Sequence, residues 1–274
     1  MSKRIAFIGG GNMATSLVGG LIAAGTEAAD ILVAEPDAGK RERLAQQFKI
    51  AVTASNLDCL QQQVIVLSVK PQQLQTVCRE LAVADNAADP LYVSIAAGVR
   101  STDIERWLGG GAAIVRCMPN TPALIQCGAT ALYANPLVDD NRKQLTEELL
   151  QAAGLTVWVA QENLLDAVTA VSGSGPAYFF LLIETMQQTA TELGLDTLTA
   201  ARLTLQTALG AARLLSESEL SAAELRSQVT SEGGTTAAAI SSFEHNNFHQ
   251  HVSEAMHAAY NRSSELADEL GKDI

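Results

Sequence analysis

Ile5-Ala-Phe-Ile-Gly-Gly-Gly-Asn-Met-Ala14 is the stretch that decides the fold. Its four leading apolar residues suit a buried parallel strand, and the next six fit the pattern G-x-G-x-x-A. In that pattern Gly9 allows a tight turn, Gly11 lets the backbone approach a pyrophosphate, and Ala14 lets the helix pack closely on the strand. A helical pattern then runs to Gly25. The stretch therefore predicts a dinucleotide-binding turn between a strand and a helix.

The next predicted strand, Ile31–Ala34, is followed by an acid that bears on the choice of cofactor. Glu35 stands where a carboxylate would accept from a ribose hydroxyl and repel a 2′-phosphate, which favours NADH. Lys40, Arg41 and Arg43 follow closely and would favour NADPH, although a solvated helix face explains them equally well. We expect both cofactors to work and leave the preference open.

Further strand-and-turn units continue the pattern. Val64–Val69 ends at Lys70-Pro71, Leu91–Ile95 ends at Ala96-Ala97-Gly98, and Ala113–Arg116 ends at Met118 to Pro122. In an open parallel sheet the ligand lies outside the carboxyl ends of the strands, although an ordinary turn is the alternative at each of them. The candidate cofactor contacts are Gly9, Gly11, Asn12, Met13, Glu35, Asn56, Val69, Lys70, Pro71, Ala96, Ala97, Gly98, Asn120 and Pro122.

From about Glu162 the alternation of strands and helices gives way to helices alone, which indicates a domain boundary. The predicted fold class is α/β: a Rossmann-like NAD(P)-binding domain over residues 1–161, then an all-α domain over residues 162–274. Within the second domain, Ala177–Leu193 and Thr197–Leu215 are apolar on most faces, so we expect at least a dimer through this half. Ser172 to Pro176 should break or kink the helix before them.

A second glycine turn lies in the helical half, within Gln228–Ile240. Gly233 and Gly234 lead into Thr235 and Thr236, and a helical run follows. Backbone N–H groups at such a helix start have no intrahelical partner, and glycines let an anion approach them. The alternative is a plain N-cap without a ligand.

Composition excludes several classes of function. The net charge of -12 and a pI near 4.7 argue against nucleic-acid or anionic-membrane partners. No stretch has the uninterrupted apolar length of a membrane span. Four cysteines without C-x-x-C pairing suggest reduced thiols in a cytoplasmic protein. His245 and His249 have helical i, i+4 spacing, but without further ligands we expect no metal site.

At this point the residues resemble those of bacterial pyrroline-5-carboxylate reductases, almost from end to end. The motifs that carry the resemblance are Phe7–Met13, Val69–Pro71, Val93–Gly98, Arg116–Ala123, Val171–Tyr178 and Val229–Thr236. The last two are specific to the family, and the others are shared with related reductases. Glu232 is a departure, since many members have proline there, and it puts the stiffness of that loop in doubt.

The resemblance implies reduction of the cyclic imine 1-pyrroline-5-carboxylate to L-proline by NADPH or NADH. It places the substrate carboxylate on the N–H groups around Gly233, Gly234, Thr235 and Thr236, and the ring nitrogen near the Thr236 hydroxyl. Thr236 and Ser231 are the implied catalytic residues, Glu162 and Glu219 line the substrate pocket, and Gln228 joins the cofactor contacts. The family forms interleaved dimers through the helical domain, often assembled into decamers.

Two alternatives remain. A β-hydroxyacid dehydrogenase, or another imine reductase, would have a similar architecture. The hydroxyacid enzymes use a lysine on the helix after the glycine turn, and none follows Gly175-Pro176 before Lys272. The second alternative is a nucleotide-sensing module without turnover. The second glycine turn argues against this alternative only through the family resemblance.

Overall fold

The computed structural model describes residues 4–84 and 89–272. Its contacts divide the chain into two compact units, Met1–Ser174 with Ala259–Ile274, and Gly175–Ala258. We name them the nucleotide unit and the helical unit. The end of the last helix therefore packs with the N-terminal part of the chain. The domain boundary predicted between residues 161 and 162 rests on the change of sequence pattern, not on contacts, and it stays a prediction.

The nucleotide unit is built on one eight-stranded sheet in the order β3-β2-β1-β4-β5-β6-β7-β8. The strands are β1 Ile5–Ile8, β2 Ile31–Ala34, β3 Ala51–Thr53, β4 Val64–Leu67, β5 Leu91–Ser94, β6 Ile114–Met118, β7 Gly128–Ala134 and β8 Gly154–Trp158. The first six strands are parallel, in the strand order of a dinucleotide-binding fold. The predicted Rossmann-like fold is confirmed.

The sheet departs from the expected all-parallel arrangement at β7. That strand runs antiparallel to β6, and β8 runs parallel to β7. The connection between Met118 and Gly128 contains only the 3-10 turn Thr121–Ile125. It is too short for the crossover of about a dozen residues that a parallel pair requires.

Helices cover both faces of this sheet. Those of the nucleotide unit are α1 Asn12–Ala23, α2 Ala38–Phe48, α3 Pro71–Ala82, α4 Ser101–Trp107, α5 Asp140–Gln151 and α6 Leu164–Val168. Neighbouring strand residues point to opposite faces, so Phe7 joins one core cluster with Leu17, whereas Ile8 joins the other with Ile104. Because both faces are buried, β1 and β4 are apolar at every position. The sequence analysis does not identify β3 or α4, and it gives α2 only as the alternative explanation of Lys40, Arg41 and Arg43.

The helical unit contains no strand within the part of the chain that the structure describes. Its helices are α7 Gly175–Glu192, α8 Thr197–Glu217, α9 Ala222–Gln228, α10 Thr235–His245 and the first part of α11 Phe248–Leu270, whose end belongs to the nucleotide unit. Ser221 caps α9 in a capping box with Glu224. Large apolar side chains on α7 and α8 are exposed, among them Phe179, Phe180, Leu181, Leu203, Leu205 and Leu209. No residue that the structure describes covers these faces within one chain.

The predicted kink before α7 takes the form of a π-helical turn. Thr169–Gly173 follows α6 directly, and a bend at Ser174 separates it from α7. The continuous stretch Leu164–Glu192 is long and apolar enough to cross a membrane by length and composition alone. This finding qualifies the expectation that no stretch has that length. Such a helix is weak evidence for a membrane span, because the apolar face of a subunit interface gives the same signal.

Candidate functional site

The turn between β1 and α1 has the geometry that the glycine pattern predicts. Gly9 has φ +102°, and a Cβ there would lie 2.8 Å from the carbonyl oxygen of Ser68. Gly11 is the N-cap of α1 and would have nothing within 4 Å of an added Cβ, and its carbonyl oxygen accepts from the Thr15 hydroxyl at 2.9 Å. The first N–H groups of α1 therefore face open space, which suits an anion.

Glu35 holds this turn to the end of β2. Its Oε2 accepts from the Gly10 N–H at 2.9 Å, and its Oε1 accepts from the Asp37 N–H at 3.1 Å. The side chain is almost fully buried, with the ammonium group of Lys40 3.9 Å away. A carboxylate oxygen has a second lone pair, so the predicted bond to a ribose hydroxyl stays a prediction.

A cavity of about 660 Å³ opens beside the glycine turn. Six predicted cofactor contacts line it: Gly9, Gly11, Glu35, Asn56, Val69 and Lys70. The amide of Asn56 donates to Glu80 at 2.8 Å, which fixes its orientation at the cavity wall. The volume falls in the range of about 300–1,000 Å³ that ligand pockets usually have.

Sequence reasoning misses one whole wall of this cavity. Gln73, Thr76, Val77 and Glu80 also line it, all from α3. Their i, i+3, i+4, i+7 spacing is the face of one helix, and this periodicity could have identified them. Ser68 is missed as well, and its hydroxyl donates to the Ile8 and Gly9 carbonyl oxygens at 2.9 and 2.8 Å.

The three basic residues after Glu35 have different surroundings. Lys40 and Arg43 line a second cavity of about 260 Å³ beside Gly11 and Asn12. Arg41 instead donates from Nη1 to the carbonyl oxygens of Glu35 and Pro36, both at 2.7 Å. Lys40 and Arg43 therefore line the space next to the glycine turn, although the Lys40 ammonium group also lies 3.9 Å from the Glu35 carboxylate.

The remaining predicted cofactor contacts lie elsewhere in the chain. Met13 and Pro71 are at the first turns of α1 and α3, and Ala96–Gly98 forms the turn between β5 and α4. Asn120 is buried, its Nδ2 donating to the Ser172 carbonyl at 3.0 Å and its Oδ1 accepting from the Ala129 N–H at 2.9 Å. Pro122 lies in the 3-10 turn that follows, and Gln228 ends α9. None of these residues lines the larger cavity within the part of the chain described.

The glycine turn of the helical unit also begins a helix. Gly233 has φ +71°, and Gly234 is the N-cap of α10 without a side-chain bond. The Gly234 N–H donates to the Ser231 carbonyl at 3.1 Å. Thr235 and Thr236 begin the helix, the first exposed and the second half-buried. The predicted catalytic and substrate residues of this turn thus adjoin one another, whereas Glu219 lies exposed between α8 and α9.

Glu162 is fully engaged within the nucleotide unit. Its Oε1 accepts from the Ser101 N–H at 2.6 Å and from Arg116 Nη1 at 2.9 Å. Its Oε2 accepts from the Ser101 hydroxyl at 2.8 Å. These bonds tie the segment before α6 to β6 and to the start of α4. Its predicted role in lining the substrate pocket is untested and stays a prediction.

The three buried cysteine thiols are poor candidates for chemistry. Burial raises the pKa of Cys59 and of Cys78 to about 12, and burial also raises the pKa of Cys117. Thiols in this state are protonated near neutral pH and react slowly. Among the residues described, no group of three or more His, Cys, Asp or Glu side chains could hold a metal ion.

Comparisons with known proteins agree with both halves of this arrangement. Residues 4–98 match the family model described as NADP oxidoreductase, coenzyme F420-dependent. Residues 162–266 match the model described as pyrroline-5-carboxylate reductase dimerisation. The chain is also 52% identical to the pyrroline-5-carboxylate reductase of Pseudomonas aeruginosa over 99% of both sequences. The chain belongs to the pyrroline-5-carboxylate reductase family.

Solved structures of this family have the same fold. A pyrroline-5-carboxylate reductase from Coxiella burnetii is 44% identical and matches with a TM-score of 0.93, covering 97% of this chain and 99% of that one. The Plasmodium falciparum pyrroline carboxylate reductase, solved with NADP bound, is 27% identical, with a TM-score of 0.85 and coverage of 96% and 98%. The family model that matches residues 162–266 is named for dimerisation, and this agrees with the exposed apolar faces of α7 and α8.

Proposed function

We propose that this chain reduces 1-pyrroline-5-carboxylate to L-proline, with NADPH or NADH as the hydride donor. The observation that carries the proposal is the pair of open helix starts, one beside a nucleotide-sized cavity and one at the Gly-Gly-Thr-Thr turn. The first suits a pyrophosphate and the second suits a carboxylate. Relatives named for this activity match the chain over almost its full length.

The residues of the nucleotide unit fit a dinucleotide. The space beside Gly11 lets a pyrophosphate reach the N–H groups of α1, and the cavity wall of α3 can cover the adenosine half. When bound, the cofactor supplies a hydride to the imine carbon. Lys40 and Arg43 can neutralise a 2′-phosphate, whereas Glu35 is already satisfied by backbone N–H groups. Each Glu35 oxygen keeps a lone pair for a ribose hydroxyl, so the site accommodates both cofactors.

The turn that begins α10 supplies the substrate contacts in this proposal. The N–H groups around Gly233, Gly234, Thr235 and Thr236 hold the carboxylate, and the Thr236 hydroxyl lies near the ring nitrogen, with Ser231 beside them. A protonated imine carbon is already electrophilic, so the protein has to position the substrate more than to activate it. The ring nitrogen keeps its proton as the imine becomes an amine, and Thr236 provides a hydrogen-bond partner throughout.

Assembly and location complete the proposal. We expect interleaved dimers through the helical unit, further assembled into decamers, in the cytoplasm. The exposed apolar residues of α7 and α8 support a subunit interface. The acidic net charge of -12 supports the expectation that neither nucleic acid nor a membrane is a partner.

The test is steady-state oxidation of NADPH and NADH with two imines, and reduction of NAD(P)+ with a β-hydroxyacid. Turnover with 1-pyrroline-5-carboxylate, and far weaker turnover with 1-pyrroline, which lacks the carboxylate, is the expected result. Oxidation of a β-hydroxyacid by NAD(P)+ in place of imine reduction would support the dehydrogenase alternative. Cofactor binding without turnover of any substrate would support a sensing module and contradict the proposal.

A further inference from the structure

Glu162 occupies a position from which it can fix two turns at once. Its carboxylate accepts three hydrogen bonds, two from Ser101 and one from Arg116, at 2.6 to 2.9 Å. The side chains of Arg116 and Glu162 are only 9% and 19% exposed, so the pair is largely shielded from water. Interactions between charges that are shielded in this way are strong and geometrically demanding.

The bonds to Ser101 hold the turn after β5. Ser101 is the first residue of α4 and directly follows the turn that contains Ala96–Gly98. Gly98 has φ +73°, and a Cβ there would lie 3.3 Å from Leu270, so the other side of the turn packs on the end of α11. The turn is therefore held between α11 and the Glu162 carboxylate.

The bond to Arg116 holds the turn after β6. Arg116 pairs in register with Ser94, so the two strands end side by side. Two residues further on, Met118 packs against Gly173, where an added Cβ would lie 2.5 Å from its Cε. Asn120 then bonds to Ser172 in the π-helical turn. This turn belongs to the same continuous segment as Glu162, so one segment braces the β6 end at three points.

The strand order gives these two turns a place in cofactor binding. A dinucleotide lies across the point where the order reverses, here between β1 and β4. Its adenosine half would face the cavity lined by the ends of β1 and β2 and by α3, so its nicotinamide half would extend over the ends of β4, β5 and β6. The turns braced by Glu162 are those of β5 and β6.

We propose that Glu162 is a positioning residue for the nicotinamide half of the cofactor, acting through Ser101 and Arg116. The inference rests on the proposed reductase function. It assigns Glu162 a role through the cofactor turns, distinct from direct contact with the substrate. We name the three hydrogen bonds from Ser101 and Arg116 to the Glu162 carboxylate the clamp. Loss of the clamp should disturb the position of the nicotinamide ring and leave the adenosine cavity and the glycine turn intact.

The test compares Glu162→Gln and Ser101→Ala with Asp166→Asn as the matched control. Asp166 lies in α6 and accepts from the Ser263 hydroxyl at 2.6 Å, but bonds to neither turn. We expect kcat with 1-pyrroline-5-carboxylate to fall roughly ten- to a hundred-fold in Glu162→Gln, because small displacements of reacting groups have effects of that size. Ser101→Ala should give a smaller loss in the same direction, and it tests the clamp even if Glu162→Gln does not fold.

A second readout does not depend on turnover. The fluorescence anisotropy of NADPH bound to an excess of protein reports how firmly the dihydronicotinamide ring is held. This anisotropy should fall in Glu162→Gln, while the NADPH dissociation constant changes little. A lower melting temperature with normal kcat and anisotropy would overturn the proposal, and so would an equal loss in Asp166→Asn. If the wild-type chain does not reduce 1-pyrroline-5-carboxylate, the proposed function fails, and the anisotropy comparison still tests the positioning role.

Discussion

The chain builds a glycine-led helix start twice, and the two differ in what surrounds them. Gly11 and Gly234 are both N-caps with extended backbone angles, φ/ψ of -74°/-178° and -81°/169°, and neither helix has a side-chain cap. Each is preceded by a glycine at positive φ, Gly9 and Gly233. Local backbone geometry is thus nearly the same at the two turns.

Their surroundings separate them. The first turn lies against buried strands, and Glu35 and Ser68 both bond to it. The second lies in the helical unit, where few residues are buried. Among the described residues of α7 to α10, the buried ones are Gly175, Ala200 and Thr204. A single chain therefore completes the first site by itself, whereas the helices that carry the second need another surface to bury their apolar faces. The same motif can be read from sequence at both places, but its rigidity depends on the packing around it.

The largest expected effect comes from charging the apolar face of the helical unit. Leu205 on α8 is 59% exposed in the single chain, and we expect a second copy to cover it. Leu205→Glu would bury a charge in that interface, which is costly enough to prevent association. Light scattering should show monomers, and reductase activity should be lost.

The matched control for this variant is Val83→Glu. Val83 is 85% exposed and follows α3 in the nucleotide unit, whose core is complete. The substitution should leave mass, melting temperature and activity unchanged. A fully active dimer of Leu205→Glu would contradict the assignment of the α8 face to the interface.

The next largest effect concerns the second helix start itself. If the Thr236 hydroxyl donates to the ring nitrogen as it becomes an amine, Thr236→Ala and Thr236→Val should lower kcat about ten- to a hundred-fold, since a hydrogen bond to a charged or charge-developing group contributes roughly 1.5–3 kcal/mol. Thr236→Ser keeps the hydroxyl and should keep most of the activity. If the turn is only an N-cap, the same variants should lower the melting temperature with nearly normal kcat. Full turnover by Thr236→Val would exclude the catalytic role.

Sequence reasoning succeeds at these two turns for an identifiable reason. Strand–glycine–helix and glycine–threonine–helix patterns are local, so Gly9 to Ala14 and Gly233 to Thr236 can be read directly. Glu35 shows the limit: its place after β2 is predictable, but its bonds to the Gly10 and Asp37 N–H groups depend on the folded turn. Glu162 shows it more strongly. Its partners are 61 and 46 residues away, and no sequence spacing indicates them.

The third prediction isolates cofactor affinity from stability at the first turn. Gly11 has ordinary backbone angles and open space around an added Cβ, so Gly11→Ala should leave the melting temperature of the free protein unchanged. The new methyl group would lie where a pyrophosphate approaches α1, and NADPH affinity should fall on the order of tenfold or more. Isothermal titration with NADPH measures this directly. Unchanged affinity would place the pyrophosphate elsewhere.

The smallest expected effect is a difference in melting temperature between alanine variants of Gly9 and Gly233, the positive-φ glycines of the two turns. Gly233 has φ +71° and no atom within 4 Å of an added Cβ, so Gly233→Ala has only the backbone strain of a left-handed residue, about 1–2 kcal/mol. Gly9 has φ +102°, and its Cβ would also lie 2.8 Å from a backbone carbonyl that cannot rotate away. Overpacking of this kind adds roughly 1–3 kcal/mol. When the chain unfolds in one transition, about 1 kcal/mol shifts its melting temperature by roughly 2–4 °C, so Gly9→Ala should melt several degrees below Gly233→Ala. Equal losses of melting temperature would mean that the strands around the first turn move aside to make room for the added methyl group. The two sites would then differ only in the ligands that they bind.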